Sequence, residues 1–358
     1  MKDLLNFAVG PVMMDDETLE VSARQIPYFR TAEFSAVVKA CEANIKALFD
    51  APGDSRVVFM TGSGTASMEA GIINVLTKAD RALVVNGGSF GTRFCEICAV
   101  HGIPFTPVIC EAGKTLTAEQ LSEIDASKYT AFVVNLCETS TGVLYDIDLI
   151  SEFCEKYNLL LIVDAVSAFL CDRFSMKENG IDVAITGSQK AMGLAPGLSV
   201  MCFGKRAVKR INSNKVDSLY FDLKSYLLDA ERGQTPFTPA VGIIYQLKEK
   251  TDRLMRNGGI VAAIKRAKCN ADYFRARIGD LPFELFADNP SNAVTALAVR
   301  GDMDAYDIFL KLKDDHGIFV CPNGGALKNK VFRVGHMGNI KSTDYDRLIK
   351  GLMGLLCK

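Results

Sequence analysis

The 358-residue sequence has no excess of charge of either sign: 41 Lys and Arg face 42 Asp and Glu, for a net charge of −1. That balance removes the bulk electrostatic case for a nucleic-acid or membrane-surface partner. No apolar run approaches the roughly 18 residues that a membrane span needs. The opening Met1-Lys2-Asp3-Leu4-Leu5-Asn6 has no basic region followed by an apolar stretch and a cleavage site, and the closing Leu355-Leu356-Cys357-Lys358 carries no peroxisomal address. The cytoplasm is therefore the expected location. Internal repeats, low-complexity tracts and charged tails are also missing. Histidine is scarce, with three residues, and the pair Cys95-Glu96-Ile97-Cys98 has no second pair to join it and only a lone His101 nearby. A zinc knuckle is thus not supported, and the pair is expected on a helix. The eleven cysteines are odd in number and scattered through apolar stretches, as in Val200-Met201-Cys202-Phe203, so they read as buried thiols in a reducing compartment.

What is present is ordinary globular material. Hydrophobic residues make up 49% and charged residues 23%, enough for a large core without metals or disulfides. The length fits about two domains, or one large α/β domain with an appendage. From about residue 55, short apolar β-rich runs alternate with longer amphipathic ones: Arg56–Met60, Ala82–Val85, Ala131–Val134, Leu159–Val163, Val183–Ile185 and Leu198–Phe203. Near-continuous apolar strands spaced by helix-length segments predict a mostly parallel α/β sheet, covered on both faces. Residues 241–279 read as long helix interrupted near Asn257-Gly258-Gly259, and a smaller α+β unit follows with strands at Ala293–Val299, Gly317–Val320 and Val331–Val334.

Three motifs carry chemistry. Thr61-Gly62-Ser63-Gly64-Thr65-Ala66 follows a strand and opens a helix, where free N–H groups and hydroxyls suit a phosphate. It is not a Walker loop, since no Gly-Lys-Ser/Thr follows, and Ser67 and Asn86 depart from the dinucleotide fingerprint of a dehydrogenase. On its own it also reads as a plain Gly-rich turn. Asp164 closes the very apolar Leu161-Ile162-Val163, where a carboxylate either faces the crevice of a parallel sheet or caps a helix. Lys190, in Ser188-Gln189-Lys190, closes another apolar strand before a Gly/Pro-rich turn. It can be a solvated loop residue, or an amine made nucleophilic by desolvation.

Cradle, acid and lysine, in that order, are what pyridoxal phosphate demands. At this point the chain resembles the class V aminotransferases of the fold-type I pyridoxal phosphate enzymes, near the alanine or serine:glyoxylate and 2-aminoethylphosphonate:pyruvate aminotransferases. The resemblance runs over most of the chain. It includes Gly10-Pro11-Val12, Phe29–Phe34, Ser63-Gly64-Thr65, Asn86–Gly91, Glu138-Thr139-Ser140-Thr141-Gly142, Asp164–Ser167, Ser188-Gln189-Lys190 and Phe332-Arg333-Val334-Gly335.

The resemblance implies a large cofactor-binding domain over residues 15–245 and a small domain over 246–358 joined by residues 1–14. It implies Lys190 as the Schiff-base lysine and proton shuttle, and Asp164 on the pyridine nitrogen. Phe90 would stack on the ring, with Gly64, Thr65 and Gln189 on the phosphate, Thr139 near the ring and Arg333 on the substrate carboxylate. It further implies a homodimer in which Thr235 and Thr238, from Gln234–Pro239, reach the neighbour's phosphate. Bland alternatives are core packing for Phe90, a surface strand for Arg333 and a surface loop for Gln234–Pro239. Leu136 stands where relatives often place His, which affects contacts above the ring. A pyridoxal phosphate lyase such as a cysteine desulfurase is the competing enzyme class. Gln189 stands where a desulfurase has His, and Cys321 is the one candidate thiol. A second matched arginine beyond Arg333 is offered only by Arg30, which favours a one-carboxylate donor over a dicarboxylate; the resemblance implies small donors, alanine, serine or 2-aminoethylphosphonate, with pyruvate or glyoxylate as acceptor.

Overall fold

The computed structural model describes residues 4–356; Met1-Lys2-Asp3 and Cys357-Lys358, which the targeting arguments used, lie outside the described residues. The described strands are β1 (Leu5–Phe7), β2 (Arg56–Thr61), β3 (Ala82–Asn86), β4 (Phe105–Ile109), β5 (Ala131–Asn135), β6 (Cys137–Glu138), β7 (Val143–Leu144), β8 (Leu160–Asp164), β9 (Val183–Gly187), β10 (Leu198–Phe203), β11 (Phe283–Leu285), β12 (Val294–Val299), β13 (Ile318–Pro322) and β14 (Val331–Gly335). A seven-stranded sheet has the order β2-β10-β9-β8-β5-β3-β4. It is parallel from β9 to β4, while β10 runs antiparallel to both its neighbours.

Every residue of β5, β8, β9 and β10 is buried, the consequence of Val, Ile and Leu on both faces of a covered sheet. Separate apolar clusters built on Val57, Phe132 and Val163, and on Val58, Val133 and Ile162, pack its two faces. The alternation along each strand therefore feeds two cores. A five-stranded sheet, β1-β13-β14-β12-β11, is antiparallel except for the β1–β13 pair. It carries a third core around Phe274, Phe332 and Tyr345.

All six strands expected in the first half and all three in the second are present, most extended by a residue or two. Five more were not expected, including the two-residue antiparallel pair β6 and β7. Strand β4 holds Pro107 and leaves Phe105, Thr106, Pro107 and Ile109 partly or fully open, as an edge strand can. Strands β1 and β11 have three residues each, too few for a periodic signal. The long helix divides as expected into Val241–Arg256 and Gly259–Arg275, with Gly258 and Gly259 at φ +94° and +62°. Cys95 and Cys98 lie on the helix Ser89–Val100. Ten cysteines are described and all are free thiols; seven are buried, Cys95 and Cys321 are half-buried and Cys269 is exposed, a departure from the all-buried expectation. Among the described residues no helix is long and apolar enough to cross a membrane, and no group of three His, Cys, Asp or Glu is placed to hold a metal ion.

Candidate active site

Parallel pairing of β5, β8 and β9 brings their C-terminal ends to one edge of the large sheet, and the double antiparallel step through β10 returns β2 with its end on that same edge. Asp164 ends β8, and the loop after β9 carries Gln189 and Lys190. That loop is held shut by its own bonds. Ser188 Oγ donates to the Ala195 carbonyl (2.7 Å), Gly193 N–H to Lys190 O (2.8 Å) and Leu194 N–H to Ser188 O (3.0 Å).

Lys190 is buried, with Nζ donating to the Val9 carbonyl at 2.6 Å. Its stem lies against Gly10, where an added Cβ would come 2.7 Å from Lys190 Cδ. Val12 N–H closes the contact on Gln189 O at 3.2 Å. Burial pushes the Lys190 ammonium below its usual range, against the pull of Cys137 and Asp164. Asp164 is also buried. Burial raises its carboxyl to about 6, although Val166 N–H donates to Oδ1 at 2.8 Å and Lys190 draws the acid down. Its other oxygen accepts no hydrogen bond from the described residues.

The helix Gly64–Val75 begins beside this pair. Its cap, Ser63, makes no side-chain bond to the helix end, so the first N–H groups are not capped by it. Gly64 packs against Val166, where a Cβ would meet Cγ2 at 3.1 Å. Thr65 and Gln189 are half-buried at the same edge. Phe90, at the start of the helix Ser89–Val100, is half-buried, and Thr139 is buried with its hydroxyl 2.7 Å from Ser167 Oγ. Arg333 comes from β14 in the other sheet. Nη1 donates to the Thr139 carbonyl (3.0 Å) and Nη2 to the Pro322 carbonyl (2.7 Å), while Nε is buried without a partner.

Thr235 and Thr238, expected at a neighbour's phosphate, stand apart from the Lys190 cluster of their own chain. Thr235 is buried with its hydroxyl on its own Phe237 carbonyl, and Thr238 is exposed beside the groove formed by Ile26, Pro27 and Tyr245. Neither bonds to the Lys190 cluster. Arg30 bonds Gln234 Oε1 and the Thr235 and Pro236 carbonyls, so its guanidinium braces that loop. Leu136 is fully buried, its N–H on Asp164 O and its carbonyl taking Tyr145 N–H. Cys321 is half-buried, opposite Arg333 in the β13–β14 register.

Sequence reading gave no role to Val9, Ser167, Arg93 or Glu138. Glu138 is fully buried, and both of its oxygens are saturated. Oε2 accepts from Phe90 N–H, Gly91 N–H and Asn135 Nδ2, and Oε1 from the N–H and hydroxyl of Ser140. It thereby caps the helix that presents Phe90. The signal available was an acid among hydroxyls in Glu138-Thr139-Ser140-Thr141-Gly142.

A desolvated amine, a buried acid with a free oxygen and an open helix end, on one edge of a mainly parallel sheet, fit the aldehyde, pyridine nitrogen and phosphate of pyridoxal phosphate. The fold and site define a pyridoxal phosphate-dependent enzyme of fold type I. The profile of the class-V aminotransferases matches residues 22–327. A Synechococcus protein named soluble hydrogenase, small subunit, is 30% identical over 356 residues, covering 98% of this chain and 92% of that protein. The L-aspartate–glyoxylate aminotransferase of Paracoccus denitrificans is 28% identical, over 93% of this chain and 86% of its own. The alanine–glyoxylate aminotransferase of Felis catus is 28% identical, over 97% and 86%. In shape, the crystal structure of an alanine–glyoxylate aminotransferase from Nostoc superposes with a TM-score of 0.93 at 24% identity, covering 99% of this chain and 96% of that one. The chain belongs to the class-V aminotransferase family, and its cofactor is pyridoxal 5′-phosphate.

Proposed function

We propose that this aminotransferase moves the amino group of a small donor with one carboxylate, alanine or serine, to pyruvate or glyoxylate. The observation that carries the donor class is Arg333, whose Nε is buried without a partner beside the Lys190 cluster, while Arg30 is committed to a loop. One free guanidinium edge suits one carboxylate. Relatives that use glyoxylate by name support the acceptor.

Bound pyridoxal phosphate supplies an aldehyde carbon for the amine and a ring that takes up electrons. In this reading the chain's residues do the rest. Lys190 would hold the cofactor and, as a free amine at Nζ, would take a proton from the donor's α-carbon and deliver it to the carbon that had been the cofactor's aldehyde. Asp164 keeps its negative charge against the protonated pyridine nitrogen. Phe90 covers the ring, Thr139 lies near it, and Gly64, Thr65 and Gln189 hold the phosphate. Burial by β8, β9 and the Val9–Val12 segment excludes water from these transfers.

We further infer a homodimer, because Ile26, Tyr28 and Leu219 stand 57%, 68% and 83% exposed near the loop that carries Thr235 and Thr238. Sheet membership favours a large domain over 15–245 and a small domain of 246–358 with residues 1–14. Free thiols favour the cytoplasm.

The test is an absorbance scan of the purified holoenzyme with a panel of amino donors, with product analysis. Alanine and serine should convert the cofactor to its amine form, and Lys190→Ala should lose both the visible band and turnover while staying folded. Turnover at the normal rate in Lys190→Ala would remove the assignment. A clear preference for aspartate or glutamate, or for 2-aminoethylphosphonate, would overturn the donor class.

A further inference from the structure

Phe90 and Arg93 are three residues apart on the helix Ser89–Val100, so their side chains share one face. The guanidinium carbon of Arg93 lies 4.8 Å from the centre of the Phe90 ring. Its Nη1 donates to Thr65 Oγ1 at 3.2 Å. A guanidinium carries five N–H donors. Among the described residues that hydroxyl is the one acceptor Arg93 uses, and no carboxylate comes within ion-pair reach of it. A half-buried cation without a counter-ion is thus held beside the uncapped start of the helix Gly64–Val75, itself a positive helix end. Two positive sources converge on Thr65 and no protein anion answers them.

The position also separates Arg93 from the substrate side. Arg93 is among the charges that act on Asp164, whereas Arg333 is among those that act on Lys190. Arg333 braces Thr139 and Pro322, and Arg93 braces Thr65.

We propose that Arg93 is a further ligand of the cofactor's 5′-phosphate, completing the cradle begun by Gly64 and Thr65. The proposal rests on the pyridoxal phosphate reading of that cradle. In it, the helix capped by Glu138 performs two tasks one turn apart: Phe90 covers the ring and Arg93 neutralises the phosphate. A guanidinium supplies two parallel donors to a phosphate, so lysine would replace it only in part.

The test compares apoprotein of the wild type, Arg93→Lys and Arg93→Met by equilibrium titration with pyridoxal phosphate and with pyridoxal, which has no phosphate. Inorganic phosphate, read by thermal shift, is a third ligand. Arg93→Met should weaken pyridoxal phosphate binding by about 10- to 100-fold, as expected for a lost charge-assisted contact, and leave pyridoxal affinity unchanged. Arg93→Lys should fall between, and the thermal shift with phosphate should shrink in both variants. Equal losses for pyridoxal phosphate and pyridoxal would assign Arg93 to packing on Phe90 and overturn the proposal. So would a loss that sedimentation traces to a broken assembly, or unchanged pyridoxal phosphate affinity in both variants. Wild-type apoprotein that binds neither ligand would refute the cofactor reading itself, a result separate from all of these.

Discussion

Glu138 Oε2 accepts the backbone N–H of Phe90 at 3.1 Å, so a carboxylate on β6 fixes the first turn of a helix that starts 49 residues earlier in the chain. The same oxygen takes Gly91 N–H, and Gly88 leaves the room: a Cβ there would lie 2.5 Å from Glu138 Cδ. The first turn that carries Phe90 is therefore set by a buried charge, since all five groups around Glu138 are donors.

Glu138→Gln turns that arrangement against itself. Whichever way the amide is rotated, its NH2 faces N–H or O–H donors, and buried donors are left unpaired. The expected cost is about 3 kcal/mol of stability, with weaker pyridoxal phosphate binding as Phe90 shifts. Urea unfolding and cofactor titration check both. Wild-type values in each would show that the cap is dispensable.

Gly10→Ala should damage the site from outside it. Gly10 has φ +125°, and a Cβ would press on Lys190 Cδ at 2.7 Å and on Gln189 O at 3.3 Å. Gly180→Ala is the control, because Gly180 has φ +57° with nothing within 4 Å of a new Cβ. The control should lose about 1 kcal/mol from backbone strain alone. Gly10→Ala should lose more and should also shift the visible band of the bound cofactor. Equal losses with an unmoved band would mean that Gly10 does not position Lys190.

Ionisation of Asp164 should subtract from the apoprotein's stability as pH rises from about 4 to 6. Asp164 has its folded-state carboxyl raised to about 6 by burial, above the unfolded value of 3.8. Folded protein therefore binds the proton more tightly than unfolded protein in that window, and ionising the acid costs folding free energy. The penalty is absent below the lower value and complete above the higher one. It amounts to about 3 kcal/mol for one such group. Asp164→Asn keeps an acceptor for Val166 N–H and cannot ionise. Urea unfolding of apoprotein at pH 4.5 and 7 should show a less favourable change in stability for the wild type than for the variant. An identical change would place the acid's pKa near its unfolded value.

Asp164, Lys190 and the Gly64–Thr65 turn were legible because each interrupts an apolar strand or opens a helix at a point where a polar residue needs a reason. Local pattern carries that information. Val9 and Gly10 were not legible as contacts of Lys190, because they follow a three-residue strand whose place depends on pairing with Ile318–Val320 across the chain. Glu138 and Arg93 stood in runs already singled out, or beside them, yet nothing in either run says that one acid turns back to Phe90 or that one arginine folds over Thr65. The loop that Arg30 braces was not legible for the same reason. The partners of Arg30, Gln234 to Pro236, are about 200 residues away, and only the fold brings them together.

Arg333→Ala tests the donor class most directly. The wild-type guanidinium ties Thr139 and Pro322 carbonyls through Nη1 and Nη2 and leaves Nε buried without a partner. Removing it takes away two braces of the pocket and, under the proposed donor class, a charge-assisted bond to the substrate carboxylate. That bond is worth about 1.5 to 3 kcal/mol, or roughly 10- to 150-fold in kcat/KM. Loss of the braces would slow every donor, whereas loss of the clamp slows only donors that use a carboxylate. The half-reaction with donor alone, followed by the change in cofactor absorbance, separates them. Alanine and serine should fall by the full factor, and 2-aminoethylphosphonate, which has no carboxylate, by much less. A uniform fall across all three would make Arg333 a brace and no more. Unchanged kcat/KM for alanine would remove Arg333 from the substrate site.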